Sequence, residues 1–292
     1  MGKYSIKELE QLSGIKAHTI RIWEKRHNII EPQRTTTNIR YYSDADLKRI
    51  INVSLLNNHG IKISKIADMS TEDVNLKVQE ISEQHNDSSI PIDQLLISMV
   101  DLDEEQFEKI LSKHAQKHGL EKTITEVAYP FLEKIGVLWQ TGEITPAHEH
   151  FISNLIRQRL IISLAELPIA MHSSKRAILF LPEGELHELG LLFLHYITRK
   201  RGYRTYYLGQ SVPHEDVKKV YAIHKPQLLI TSLTAVPAPN NLEAFLKRLS
   251  EDFAPSTILT TGHLVRNTAF ILPKNVRVFE KSNQLPELLD SL

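Results

Sequence analysis

Residues 182–190 read Pro-Glu-Gly-Glu-Leu-His-Glu-Leu-Gly, which sets His187 two residues after Glu185 and three before Gly190. A neutral imidazole nitrogen is a good ligand for a transition metal, and a nearby carboxylate can fix its tautomer through the other ring nitrogen. The adjacent glutamates, Glu185 and Glu188, are placed to orient the ring. The plain alternative is a loop histidine making ordinary hydrogen bonds. No glycine fingerprint of a dinucleotide site and no phosphate loop occurs in the sequence. Cysteine is absent, which excludes disulfides, thiolate metal sites, iron–sulfur clusters and a catalytic thiol.

The elements that position this loop follow from the patterning around it. Apolar, β-rich runs at 176–181, 204–209, 227–232, 256–261 and 275–280 alternate with helical stretches at 186–201, 213–224 and 241–253. Such alternation implies βαβ units and a doubly wound parallel sheet, which binds ligands at the carboxyl ends of its strands. The His187 loop follows the first strand. Upstream, residues 76–168 carry apolar positions at three- and four-residue steps: Phe107, Ile110 and Leu111, then Val127, Phe131, Ile135 and Leu138. Helices near 93–101, 103–118, 121–140 and 146–166 would form a four-helix bundle, the last opened by Thr145 as N-cap and Pro146 at its first position.

The first segment differs in charge. The formal net charge of the 292 residues is zero, yet residues 1–70 carry +5, residues 71–175 carry −8 and residues 176–292 carry +3. A basic first segment followed by an acidic middle points toward nucleic acid at one end. Ser5 and Glu8 form a capping box, Gly14 supplies a turn, and a second helix runs from about Lys16 to Arg26 with Ile20 and Trp23 inward. Residues 31–42 look like a hairpin wing bearing Arg34 and Arg40, and Ser43-Asp44-Ala45-Asp46 caps a further helix. Helix, turn, helix is a DNA-binding pattern whose second helix enters the major groove. On charge alone these arginines could equally be solvated surface; Trp23 and Tyr42 read as core.

The ordered residues 19–26 (TIRIWEKR), Arg34, Asn38, Arg40, Tyr41, Tyr42 and 43–50 (SDADLKRI) resemble the winged-helix domain of MerR-type transcriptional regulators over residues 3–70. The resemblance implies contact with double-stranded operator DNA by Lys16, His18, Thr19 and Arg21 of the second helix. It implies the same for Arg34, Thr36, Asn38, Arg40 and Tyr41 of the wing.

Glu185-x-His187-x-x-Gly190, then residues 191–231, Ser232-Leu233-Thr234, residues 235–260 and Thr261-Gly262 are similar to the signature of the cobalamin-binding fold. That resemblance implies that His187 replaces the cofactor's own base as lower ligand of cobalt, with Ser232 along the nucleotide tail and the glycine step admitting it to a slot. Here Glu185 stands where Asp is commoner, Thr234 where Leu is usual and Thr261 where a first Gly is expected. Trp139, nine residues, then Glu149-His150 resembles the motif of light-sensing, adenosylcobalamin-dependent repressors of the CarH/LitR type. In them the bundle caps the upper face of the cofactor. An aromatic plane suits an apolar nucleoside face, and a carboxylate suits ribose hydroxyls. The residue after the Trp, a His in well-known light sensors, is Gln140, which cannot supply an imidazole.

The expected fold is therefore multidomain α and α/β: a MerR-type winged helix-turn-helix at 1–75, a four-helix bundle at 76–172 and a Rossmann-like (flavodoxin-like) cobalamin-binding parallel sheet at 173–292. The expected function is a DNA-binding repressor, not an enzyme, controlled by adenosylcobalamin or another cobalamin and by light. Its expected partners are operator DNA and further copies of itself as a dimer or tetramer. No apolar run is long enough for a membrane helix, so a cytoplasmic location is expected. The alternatives are a MerR-type regulator whose last domain is a cofactor-free interaction module, and a cobalamin-dependent enzyme component.

Overall fold

The computed structural model describes residues 3–84, 89–140, 144–237, 241–266 and 268–292, with the side chains of 82–84 and 137–140 outside that description. Contacts divide the chain into two compact units, 1–152 and 153–292.

The first unit opens with α1 (Ile6–Ser13), whose Ser5–Glu8 capping box is complete and whose end is set by Gly14 in the left-handed region. Helix α2 (Ala17–His27) lacks a side-chain cap of its own. The Glu10 carboxylate from α1 does that work, accepting from the Ala17 N–H at 3.0 Å and from Lys16 Nζ at 3.1 Å. The hairpin is two residues per strand, β1 (Gln33–Arg34) and β2 (Arg40–Tyr41), paired Arg34 to Arg40. Asn38 turns it, in the left-handed conformation that asparagine tolerates better than most residues. Tyr42 is fully buried, hydrogen-bonds Glu24, and pairs its backbone with Tyr4; Trp23 is also buried. Helices α3 (Asp44–Asn58), α4 (Ile63–Ala67) and α5 (Thr71–Gln84) follow.

Four further helical stretches lie within a few residues of those expected: α6 (Ser89–Asp101), α7 (Glu104–His118), a continuous run over Leu120–Gln140, and α10 (Pro146–Ala165). The run over Leu120–Gln140 is α8 (Leu120–Lys122), a π-helical segment (Thr123–Ala128) and α9 (Tyr129–Gln140). Pro130 lacks an N–H and its ring crowds the carbonyl four residues back, so the ladder shifts before it: the Tyr129 N–H reaches Ile124 O. At the start of α10 the Thr145 carbonyl accepts from His148 and Glu149, while its hydroxyl meets the His148 ring at 2.8 Å.

The second unit contains a five-stranded parallel sheet: β3 (Arg176–Pro182), β4 (Arg204–Val212), β5 (Leu228–Ser232), β6 (Thr257–Thr261) and β7 (Val276–Val278), in the order β4-β3-β5-β6-β7. Helices α11 (Glu188–Lys200), α12 (His214–His224), α13 (Leu242–Asp252) and α14 (Leu285–Asp290) connect and cover it. Strand β3 is buried along nearly its whole length, as a strand covered on both faces must be. Ile178, Leu229 and Ile258 on three neighbouring strands share one core with Leu246, Leu249 and Phe253. The chain leaves β3 toward β4 on one side and returns to β5 on the other. The strand order reverses between β3 and β5, where open α/β sheets form a ligand crevice.

Candidate functional site

The loops that follow β3 and β5 are tied together by one buried carboxylate. Glu185 is fully buried and accepts six hydrogen bonds. Its Oε1 takes the Leu186 and His187 N–H groups at 3.0 and 3.1 Å and His187 Nδ1 at 2.5 Å. Its Oε2 takes the N–H groups of Thr234, Ala235 and Val236 at 3.0, 2.7 and 3.1 Å. Burial pushes this carboxyl up, but the bonds from Ala235 and His187 outweigh it and hold the pKa at about 2. An ionised Glu185 is acceptor only, so Nδ1 of His187 donates to it, and in the neutral ring Nε2 is the nitrogen with the free lone pair. The His187 side chain is 61% exposed.

Of the two glutamates beside His187, only Glu185 orients it. Glu188, in the first turn of α11, instead accepts from the Tyr207 hydroxyl at 2.9 Å and lies 3.6 Å from Arg157 Nε. The plural expectation is corrected, because residue 188 has entered the helix and its side chain leaves the loop. Tyr207 in turn stacks on His195 with ring centroids 4.8 Å apart, and His195 bonds Thr205. Arg157, Glu188, Tyr207 and His195 form a support behind the loop that sequence reasoning missed. Only a strand-by-strand register could have revealed it.

The remaining candidates fall where the two strand ends meet. Ser232 is buried at the end of β5, in register with the half-exposed Thr261 of β6. Thr234 contributes its backbone N–H to Glu185, so the departure from Leu leaves that bond untouched. Gly262 has φ +111, and a Cβ there would lie 2.4 Å from the Leu233 carbonyl oxygen. Glycine is therefore demanded by backbone approach alone. Gly190, in the first turn of α11, differs: a Cβ there meets nothing within 4 Å, which leaves bare backbone beside the His187 loop. Among the described residues no three His, Asp or Glu side chains gather to hold a free metal ion. The oriented imidazole of His187 therefore stands as a single nitrogen ligand beside an open glycine.

In the first unit, Glu149 is half-buried and His150 exposed, with His150 Nδ1 2.8 Å from Glu149 Oε2. Trp139 lies in α9, but its side chain is outside the described residues, as is that of Gln140.

The candidate nucleic-acid face is the outer side of α2 and the wing. His18, Arg21 and Lys25 are exposed at three- and four-residue steps, opposite the buried Ile20 and Trp23, with Thr19 partly covered. Lys16 precedes the helix, its side chain 72% exposed. In the wing Arg34 donates to Asn38 Oδ1 at 2.8 Å, Arg40 lies 3.8 Å from Glu24, and Thr36 is exposed. Tyr41 is half-buried under Lys3, whose Nζ is 5.1 Å from the ring centroid.

The fold joins a winged helix-turn-helix to a segment with a five-stranded parallel sheet that presents an oriented histidine at its switch point. Residues 4–73 match the family described as MerR HTH family regulatory protein, and residues 91–162 match the B12 binding domain. The chain thus carries a MerR-type helix-turn-helix domain and a B12-binding domain. It is 28% identical to the HTH-type transcriptional repressor CarH of Myxococcus xanthus over 254 residues, 85% of this chain and 84% of that protein. It is 26% identical to the repressor CarA of the same organism over 260 residues, 88% and 85% of the two chains. The structure of the Methanosarcina barkeri monomethylamine corrinoid protein superposes with a TM-score of 0.58 at 18% identity, over 70% of this chain and all of that one, a likeness of fold.

Proposed function

We propose that this chain is a cytoplasmic transcriptional repressor whose hold on operator DNA is set by adenosylcobalamin and by light. The observation that carries the reading is the Glu185–His187 pair at the sheet's switch point, in a chain whose other end is a winged helix. The repressors that span most of the chain favour a regulator over an enzyme.

In this reading His187 would ligate the cobalt through Nε2, with Glu185 holding the ring and its tautomer. Gly190 leaves room beside it, and Ser232, Thr234, Thr261 and Gly262 border the nucleotide tail. The resemblance assigns Trp139, Glu149 and His150 to the adenosyl group, for which an aromatic plane would exclude water and a carboxylate would bond ribose hydroxyls. When bound, the cofactor supplies a cobalt–carbon bond that light can cleave. Because Gln140 has no imidazole, a lit-state ligand would have to come from elsewhere in the chain.

The dark, loaded chain assembles into oligomers that present several winged helices together. Linking binding modules raises avidity by roughly two to four orders of magnitude without a new base contact. Visible absorption, light scattering and operator binding of one sample, before and after green light, test this. Cofactor uptake with a mass and operator affinity that rise in the dark and fall on illumination are expected. An unchanged mass with cofactor bound removes the switch, and absent uptake removes the cofactor reading.

A further inference from the structure

The first unit also contains a cleft of about 620 Å³, walled by α3, α5, α6 and α7 and lined only by residues within 1–152. That volume lies in the range of roughly 300–1,000 Å³ usual for small-molecule sites. None of the residues proposed above for DNA contact or cobalamin binding lines it, although its α6 and α7 walls from Pro91 to His118 fall within the segment that matches the B12 binding domain.

The charge on its walls is one-sided. Helix α7 turns Lys109, Ile110, Lys113, His114, Lys117 and His118 toward it, at the three- and four-residue steps of a single face. The acids of the same helix, Glu104, Glu105 and Glu108, do not line it. On α6, Asp93 is bonded to Lys134 and Asp101 to Lys48, both away from the cleft. Among the described lining residues there is no carboxylate at all.

The rest of the lining is uncharged. Asn52 Nδ2 donates to Asn75 Oδ1 at 3.1 Å, and Gln94 Nε2 donates to Asn52 Oδ1 at 3.2 Å, so α3, α5 and α6 share an amide chain along the cleft. Val78, Ile90, Ile97 and Ile110 supply the apolar wall. Apolar walls select an apolar body, and the cations at their rim offer charge-assisted bonds to an anionic head.

We propose that this cleft binds a small amphipathic anion, with its apolar body against Ile97 and Ile110 and its carboxylate, sulfonate or phosphate on Lys109 and Lys117. The site shares no residue with the His187 loop or with Trp139, Glu149 and His150, so a lost sulfonate preference in the lysine variant with cobalamin uptake intact would separate it from the cobalamin reading.

Anilinonaphthalenesulfonate and uncharged N-phenylnaphthylamine present closely related ring systems with and without the anion. In fluorescence titrations of the full chain the sulfonate is expected to saturate and to bind about tenfold more tightly than the amine. Lys109→Ala with Lys117→Ala removes that preference and leaves amine binding unchanged. Ile97→Trp, which fills the apolar wall, weakens both probes. Circular dichroism checks that each variant is folded, and the exposed lysines make the double variant the safe one. Equal affinities of the two probes in the natural chain, or a sulfonate preference that survives the double substitution, overturns the proposal.

Discussion

Nδ1 of His187 lies 2.5 Å from Oε1 of Glu185, and the other oxygen of the same carboxylate is held by the backbone of Thr234, Ala235 and Val236. One buried side chain thus orients an exposed ring and fixes the spacing of two loops at the place where the strand order reverses.

Glu185→Gln tests that double role. A glutamine of the same shape brings an NH₂ group to donors that need an acceptor, leaving buried N–H groups unpaired. We expect unfolding free energy to fall by roughly 2–4 kcal/mol, with weaker cobalamin uptake. An unchanged urea midpoint would show that the carboxylate is no clamp.

His187→Ala separates ligation from folding. The ring is 61% exposed, so the variant should still fold, at a cost of roughly 1–2 kcal/mol for the lost Nδ1–H bond to the buried Glu185 carboxylate. Cobalamin uptake, followed by visible absorption, is expected to be abolished or greatly weakened, while DNA binding by the isolated winged-helix domain persists. A histidine-ligated cobalamin spectrum at full strength in this variant contradicts the assignment.

Acid stability should decline in two windows. Burial, then the Arg199 guanidinium, push His195 down from 6.5 to about 4, so it stays neutral in the folded chain while the unfolded chain takes up its proton. Its contribution is complete above pH 6.5 and lost as the pH falls toward 4. Glu185, lowered from 4.5 to about 2, contributes fully above pH 4.5 and loses that contribution as the pH falls toward 2. Each loss amounts to up to roughly 3 kcal/mol. Denaturant titrations from pH 7.5 to 3 of the parent and His195→Gln check the assignment: the first decline should shrink in the variant and the second should remain.

Two glycines should respond oppositely to alanine. At Gly262 a Cβ meets the Leu233 backbone at 2.4 Å and φ is +111, so Gly262→Ala should cost about 3 kcal/mol or more. At Gly190 nothing lies within 4 Å, so Gly190→Ala should fold normally yet impair cobalamin uptake by filling the space beside His187. Thermal melts and cofactor titrations of both variants are the check; normal uptake by Gly190→Ala would remove that glycine from the site.

Arg21→Ala with Arg40→Ala probes the DNA face. If each arginine neutralises one phosphate, the log–log slope of operator affinity against salt should become shallower by about two. Affinity and slope both unchanged would take these residues out of the interface.

Much of this was legible from sequence because it is local. The capping boxes at Ser5 and Ser43, the buried stripe of Ile20 and Trp23, and the five apolar runs that became β3 to β7 depend on residues one to four positions apart. The motif spacing around His187 placed it in the loop after the first strand, where the structure has it. The chain alone thus determined which segments are helix, wing and strand, and which histidine stands at a strand end. Tertiary structure decided what those residues touch. The Glu185 bonds reach 49 to 51 residues along the chain, the Gly262 constraint comes from Leu233, and Glu188 turns away to Tyr207. The cleft beside α7 exists only because α3, α5 and α6 close around it. Strand order and helix packing set those distances, and they arise from burying whole faces at once, which no short run of residues encodes.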